Sequence, residues 1–371
     1  MSLSQVIKEL LPGKQPSEIE KIGNWCIKRE KPDKLNAIPK GKIVNVYVVI
    51  EPLSRLIIRQ EQETTDVTVV PSRSGHSLPA ILNPKFQSGA VRRQMLTLLH
   101  EWFDRAKKEH MDYIDELKKK YGYSKDNYTC VMRPYLRRGR SEGGKAEEVF
   151  EGYCGECPNC LIFGYAVMEG AGYNVKSRVE GDLYVSPVPY EKAVVRVTFN
   201  AVDDIAKTTY RPESEESRRT GALYEFSMIE VGIPFVGKLV FRDMTLAELL
   251  LTLVTLARTT RVGGRTTHFG EIRIHIPAIL FSKYEIGGGY EIANRILSKN
   301  GTKVPTIEET INEVAEYVKQ FEKQGILVLD RELGDRLRTL SQENVDQIVL
   351  QAWKDVLVLK KSLDEFTGTK L

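Results

Sequence analysis

Apolar residues along this chain fall into a few clear patterns. Residues 42–50 (Lys-Ile-Val-Asn-Val-Tyr-Val-Val-Ile) are an almost unbroken β-branched run, as expected of a strand buried on both faces. Residues 193–199 and 271–276 alternate in the manner of strands, and 234–241 reads as another strand. Between them lie two helical patterns. Val91, Met95, Leu98, Leu99, Trp102 and Ala106 recur on one helix face, with Ser88 placed to cap it. Thr245-Leu-Ala-Glu248 is a capping box that opens a helix through about Arg258. Taken in order, these give strand, helix, strand, excursion, strand, helix, strand, which is the β-α-β-β-α-β sequence of a ferredoxin-like α+β fold.

The remaining stretches read as additions to that core. Residues 1–40, interrupted by prolines at 12, 16, 32 and 39, form a peripheral N-terminal segment. Residues 60–87 are a long polar, proline-bearing connection, a length that in a compact domain is usually functional or mobile. Residues 122–180 look like an insertion, aromatic and glycine-rich with little periodicity. Residues 200–233 leave the core and return through Leu223-Tyr-Glu-Phe226, which predicts a protruding, hairpin-like finger. From 304 to 371 the chain is helical and rich in Glu and Lys. The core is therefore discontinuous, made of 41–121, 181–199 and 234–303.

Composition changes this picture little. The 371 residues are 42% hydrophobic and 28% charged, the profile of an ordinary globular protein able to bury a substantial core. Lys and Arg number 54 against 50 Asp and Glu, a net charge of +4, too small to announce a nucleic-acid binder unless the arginines cluster. No charged-then-apolar leader opens the chain, and the most apolar helix is too short to span a bilayer. A cytoplasmic protein, neither secreted nor membrane-embedded, is expected.

The five cysteines carry more information. Cys154, Cys157 and Cys160 form two overlapping C-x2-C units within Cys-Gly-Glu-Cys-Pro-Asn-Cys, a spacing that turns adjacent thiolates onto one metal ion. Cys130, ahead of a basic glycine-bearing loop, is the natural fourth ligand for a tetrahedral zinc. An iron-sulfur cluster competes, since C-x2-C-x2-C opens the bacterial ferredoxin run. There, however, a fourth cysteine and a proline follow three residues later, where this chain has Leu-Ile-Phe-Gly. Buried or redox-active thiols are the third alternative. With Cys26 left over, a reducing compartment suits the set best.

Basic loops supply a second candidate chemistry. Arg92 and Arg93 stand in the first turn of the helix after Ser88, where free amides and the positive helix end suit a phosphate. In residues 261–270 (Arg-Val-Gly-Gly-Arg-Thr-Thr-His-Phe-Gly), Gly263 and Gly264 can aim successive amides at an anion beside Arg261, Arg265 and Thr266. Together with Lys85 to Arg93 this makes two basic loops on one sheet, as a phosphate-backbone track requires. Arg137, Arg138 and Arg140 offer a further basic contact or a solvated loop. Gly139 to Lys145 matches G-x4-G-K, but Ala146 stands where a P-loop needs Ser or Thr, so nucleotide hydrolysis is rejected. His100-Glu-Trp-Phe-Asp104 lacks the second histidine of a zinc protease. Glu61, Glu63 and Asp66, in the long connection, remain weak candidates for metal-dependent phosphodiester cleavage, Asp66 foremost.

Three motifs then fall into a familiar order. Residues 83–93 (Asn-Pro-Lys-Phe-Gln-Ser-Gly-Ala-Val-Arg-Arg) resemble the loop-to-basic-helix segment of the repeat-associated CRISPR proteins. Residues 157–164 look like their cysteine-bearing Leu-Phe-Gly motif. Residues 263–270 are similar to their glycine-rich loop before the last core strand. Cysteine arrangement, length and helical tail suggest the backbone subunit of a type I-D effector complex, in the seventh Cas family. The resemblance implies a modified RNA-recognition-type core that polymerises head to tail along a CRISPR RNA, with structural zinc in the insertion. The 200–233 finger, with Arg211, Arg218 and Arg219, would reach over the RNA. Implied partners are CRISPR RNA, further copies of the chain, other effector subunits and the target DNA or RNA paired to the guide. No aromatic RNP motif is present, so recognition should be dominated by phosphates and indifferent to guide sequence. Target cleavage by the same subunit, and a zinc-ribbon nucleic-acid-binding factor, are the alternatives.

Overall fold

The structure, a computed structural model, describes residues 3–58, 67–132, 135–140, 146–166, 173–200, 223–329 and 331–368. Helices α1 (Leu3–Leu10) and α2 (Pro16–Trp25) open it. Their apolar residues Val6, Ile7, Leu10, Leu11, Ile19 and Ile22 are buried in the principal hydrophobic cluster, so the prolines break these helices without detaching them from the core.

Strand β1 (Ile43–Pro52) follows, then the short strands β2 (Val69–Pro71) and β3 (Ser77–Ile81). A π-helical turn over Pro84–Val91 runs without a break into α3 (Arg92–Glu109), and α4 (Met111–Lys119) follows. The cysteine region contains the hairpin β4 (Tyr135–Arg140) and β5 (Ala146–Glu151), helix α5 (Pro158–Phe163), and strands β6 (Val179–Gly181) and β7 (Tyr184–Val185). Helix α6 (Tyr190–Ala193) leads into the hairpin of β8 (Val194–Asn200) and β9 (Leu223–Ile229). Then come β10 (Phe235–Arg242), α7 (Leu246–Ala257) and β11 (Ile272–Ser282). The C-terminal part comprises α8 (Gly289–Asn300), α9 (Ile307–Lys319), β12 (Ile326–Leu329), α10 (Leu333–Arg338) and α11 (Gln342–Thr367).

Eight strands form one antiparallel sheet in the order β12-β11-β1-β10-β7-β3-β2, with β6 pairing β10 alongside β7. Strand β1 lies between β10 and β11, with Ile43 opposite both Arg242 and Ser282. Its β-branched run is buried on both sides. Val44, Val46, Val48 and Ile50 enter the principal cluster with residues of α3, α7 and α11, while Tyr47 and Val49 meet Ile292, Ile296, Val314 and Val318 of α8 and α9 on the opposite face. Asn45 is the one polar side chain in that run. It is fully buried and satisfied by Ser282 Oγ at 3.0 Å and by the Ile286 amide at 3.2 Å.

The expected second core strand is a correction. Residues 194–200 do form a strand, but β8 pairs with β9 as a separate two-stranded hairpin, and β6 and β7 occupy the place beside β10. The hairpin is joined to the sheet at its base, where Leu56 and Ile229 exchange backbone hydrogen bonds of 3.1 and 2.9 Å. Its 201–222 tip lies outside the described residues. Strands β3 and β12 are two more surprises, since they add to the sheet from stretches expected to be a loop and a helical region. Among the described residues no helix is long and apolar enough to cross a membrane.

Candidate functional site

The sulfurs of Cys130, Cys154, Cys157 and Cys160 all lie within 4.8 Å of one another. Cys157 occupies the N-cap of α5 and accepts the Cys160 amide at 3.4 Å, which brings the C-x2-C knuckle to a point. Cys154 reaches the same point through Gly155, whose φ of +76° suits glycine. Cys130 arrives from the segment after α4, 3.5 Å from Cys160, while Cys154 and Cys160 are 3.9 Å apart. Those separations are too long for a disulfide of about 2 Å. They match the edge of about 3.8 Å in a tetrahedron with metal–sulfur bonds of about 2.3 Å.

The electrostatics of the group also call for a cation. Hydrogen bonds from the neighbouring thiols, Cys154 first, hold Cys130 far below the usual thiol range. Sharing a proton with Cys130 drives Cys154 up, and burial does the same to Cys157. One thiolate can form alone; four cannot without a metal to balance them. The surroundings are built to match. Tyr128 donates its hydroxyl to Cys157 Sγ at 3.3 Å, and Asn159 Nδ2 points at Cys130 Sγ at 3.8 Å. His100 Nε2 meets the Cys130 carbonyl at 2.9 Å. Tyr128 belongs to an aromatic knot with Phe103 and Trp353, with ring centres 5.9 and 5.2 Å away, so the cysteine region is packed against α3 and α11. Sequence reading finds the four cysteines but not this surrounding layer. Asn159, between two of the cysteines, is the available hint.

The basic residues are distributed differently from expectation. No free helix start exists at Ser88–Arg93, because the π-helical turn precedes it and the Arg92 amide donates to Gln87 O. Ser88 is therefore inside a helical run and caps nothing. Arg92 is turned inward and is only 7% exposed. Its Nε donates to Asn159 Oδ1 at 3.1 Å and its Nη2 to Gly164 O at 2.6 Å, with the guanidinium over the Tyr153 ring. Arg93 is exposed and Lys85 half-buried.

The glycine loop lies elsewhere. Gly263, at φ +93°, passes so near Ile57 that a Cβ would stand 2.5 Å from its carbonyl oxygen. The Gly264 amide donates to that oxygen at 2.9 Å, so it is not available to an anion. Arg261 Nη1 ties the loop together through the carbonyls of Thr266 and Phe269, at 2.7 and 3.2 Å. Arg265 stacks over Phe226 of the hairpin, 4.5 Å from the ring centre. Phe226, Met228, Ile57 and Phe269 form a small apolar cluster that fuses loop and hairpin base.

Arg196, Arg261, Arg265 and Arg273 are all exposed at this end of the sheet. The 84–93 stretch instead touches β6, through Gln87 Nε2 and Val179 O, and Val179 pairs with Phe241. The two basic loops thus sit near opposite ends of β10, separated by roughly 20 Å of strand, and do not meet as one patch. Arg137 and Arg138 are on β4, with only their backbone described. Asp66, Arg218 and Arg219 lie outside the described residues.

Comparison with known proteins agrees with the sequence motifs. A family model described as Csc2 Crispr matches residues 30–356. No curated protein matches the chain. The crystal structure of Thermofilum pendens Csc2 is similar over 94% of this chain and 96% of that one, with 20% identity and a TM-score of 0.65. Two chains of CRISPR RNA-guided surveillance complexes, one in a pre-nicking state, are 12% and 11% identical. Each match covers 77% of this chain, with 90% and 87% of the other, at a TM-score of 0.45. With the family model spanning most of its length, and a fold shared from end to end with one member, the chain belongs to the Csc2 family of CRISPR proteins.

Proposed function

We propose that this chain is the guide-carrying backbone subunit of a type I-D CRISPR effector complex, polymerising along the CRISPR RNA and supporting target recognition. Membership of the Csc2 family is the observation that carries the reading. The geometry supports it at the hairpin base, where Arg196, Arg261, Arg265 and Arg273 stand exposed beside the separate β8–β9 hairpin. Exposed guanidiniums on a rigid support grip phosphates, and phosphate contacts carry no sequence information. A subunit that must accept any guide needs that indifference.

The order β11-β1-β10-β6, with α3 and α7 as its crossovers, supports a modified ferredoxin-like core of the RNA-recognition type. The cysteine centre fits structural zinc, which would be held by Cys130, Cys154, Cys157 and Cys160 and would brace a region with little core of its own. Lys85 and Arg93 form a second, separate contact on this reading, and Arg92 none.

The test is RNA binding by Arg261→Ala/Arg265→Ala across a salt series. Affinity should fall about equally for unrelated RNA sequences. The slope of log affinity against log salt should flatten by about 0.7 for each phosphate that is no longer neutralised. A weakening confined to one sequence, or none at all, would overturn the assignment.

A further inference from the structure

A divalent ion with four thiolates leaves a net charge of about −2 in a buried site, and such a charge needs a partner near at hand. The structure assigns that part to Arg92, and we propose that through it metal occupancy governs the order of residues 84–93. Arg92 opens α3 and is almost fully buried against the knuckle. Its Nε donates to Asn159 Oδ1, and the other end of the same amide, Nδ2, faces Cys130 Sγ. Its Nη2 holds the carbonyl of Gly164, the residue that ends α5. The guanidinium lies 4.2 Å from the ring centre of Tyr153 and 5.8 Å from that of Phe163, which flank the cysteines in sequence. One planar cation therefore touches both ends of the cysteine motif.

Gly164 is fixed by its neighbour, since Tyr165 and Val175 exchange two backbone hydrogen bonds of 2.9 Å. Arg178 is the other arginine at α5, donating to Leu161 O at 3.0 Å, but it is already paired with the buried carboxylate of Glu248, which it shares with Arg29. Among the described residues, Arg92 has no carboxylate partner. Its counter-charge is the metal–thiolate group. The coupling runs outward as well. Arg92 continues directly from the Pro84–Val91 turn, which carries Lys85 and is also held by Gln87 on Ser177 Oγ and Val179 O and by Phe86, Ala90 and Val91 in the core. Loss of the metal lets all but one of the thiolates take up protons from solvent, which cuts the negative charge facing Arg92 and loosens one of that turn's polar anchors. Arg92 is a positioning residue here: it orients Asn159 and the α5 terminus, and ligates nothing.

The experiment uses the full chain with Arg92→Lys, Arg92→Met and, as a control on the same turn, Arg93→Gln. Zinc affinity is read by competition with a chromophoric chelator. Amide exchange of 84–93 is read with and without zinc, using β1 as the internal reference. Arg92→Met should lose about 10- to 100-fold in zinc affinity, the usual cost of removing an outer partner. Arg92→Lys, which keeps the charge, should stay within a few-fold of the parent, and Arg93→Gln should match it. In the parent, zinc removal should speed exchange of 84–93 about 10-fold or more while β1 stays protected. Equal losses in the Lys and Met variants, or no loss in either, would overturn the charge assignment. Should Arg92→Met fail to fold, the parent comparison decides, and exchange of 84–93 indifferent to zinc would sink the proposal.

Discussion

Replacing Glu248 by Gln should be among the most damaging single-atom changes available in this protein. Glu248 is fully buried at the third position of α7, where it completes a capping box with Thr245. Two arginines distant in sequence converge on it. Arg29 Nη1 reaches Oε1 at 2.8 Å, and Arg178 reaches Oε2 at 2.9 Å and Oε1 at 2.5 Å. Burial alone would push the carboxyl up, but the charges of Arg178 and Arg29 outweigh it and hold the group down at about 2 instead of 4.5. At about 1.4 kcal/mol per pH unit this amounts to about 3 kcal/mol. That agrees with the roughly 3–5 kcal/mol lost when one partner of a buried ion pair is removed. Arg29's burial lowers its own value, yet guanidinium remains charged at any ordinary pH, so the variant strands two cations.

Urea unfolding followed through the buried Trp102 and Trp353 provides the assay. A carboxyl with a depressed folded value stabilises the fold fully above its unfolded value and loses that contribution as pH falls toward the folded one. The gap between parent and Glu248→Gln should therefore be constant from pH 7 down to about 4.5 and close between 4.5 and 2. A loss under about 1 kcal/mol at pH 7, or a gap independent of pH, would refute the reasoning.

Other expectations follow from single residues. Burial first, then the charge of Glu248, raises Asp355 from 3.8 to about 6, so this group disfavours the fold above pH 6 and ceases to do so as pH falls toward 3.8. Asp355→Asn should raise the unfolding midpoint at pH 7.5, by roughly 2–3 kcal/mol at most, and the gain should vanish by pH 4; a less stable variant at pH 7.5 counts against it. Gly263→Ala forces a Cβ to 2.5 Å from Ile57 O at φ +93°, and should cost about 1–3 kcal/mol in thermal or urea unfolding; an unchanged midpoint would show that the loop yields freely. Cys157→Ser should lower bound metal, measured by atomic emission, and destabilise the cysteine region; unchanged metal content would refute the site.

Much of the central sheet is legible in the sequence because its signals are local. The run 42–50 is apolar at every position from Ile43 onward but Asn45, which only a strand covered on both faces tolerates, and β1 is covered so. The capping box at Thr245 and Glu248 is equally local and is present in the helix it predicts. Partner choice is not local. Residues 194–200 alternate as well in a free-standing hairpin as in a sheet, so alternation does not say that β6 and β7 take the place beside β10. Those two strands are three and two residues long, too short for any period to register.

The candidate site divides along the same line. Three cysteines in seven residues announce themselves, and Cys130 is the natural remaining ligand; the structure brings all four together. A guanidinium at the start of a helix reads the same in sequence whether it faces water or the interior. Only the positions of Asn159 and Gly164 distinguish Arg92 from exposed Arg93. The glycine loop reads correctly as a loop, but its contact with Ile57 links residues some two hundred positions apart, beyond any pattern in the chain.

The most direct measurement is to purify the native assembly containing this chain, then sequence its nucleic acid and count its copies. The account predicts single-stranded RNA of repeat–spacer composition, with diverse spacers and several copies of the chain along each RNA. Recovery of the chain as a monomer without RNA, or on double-stranded DNA alone, would contradict it.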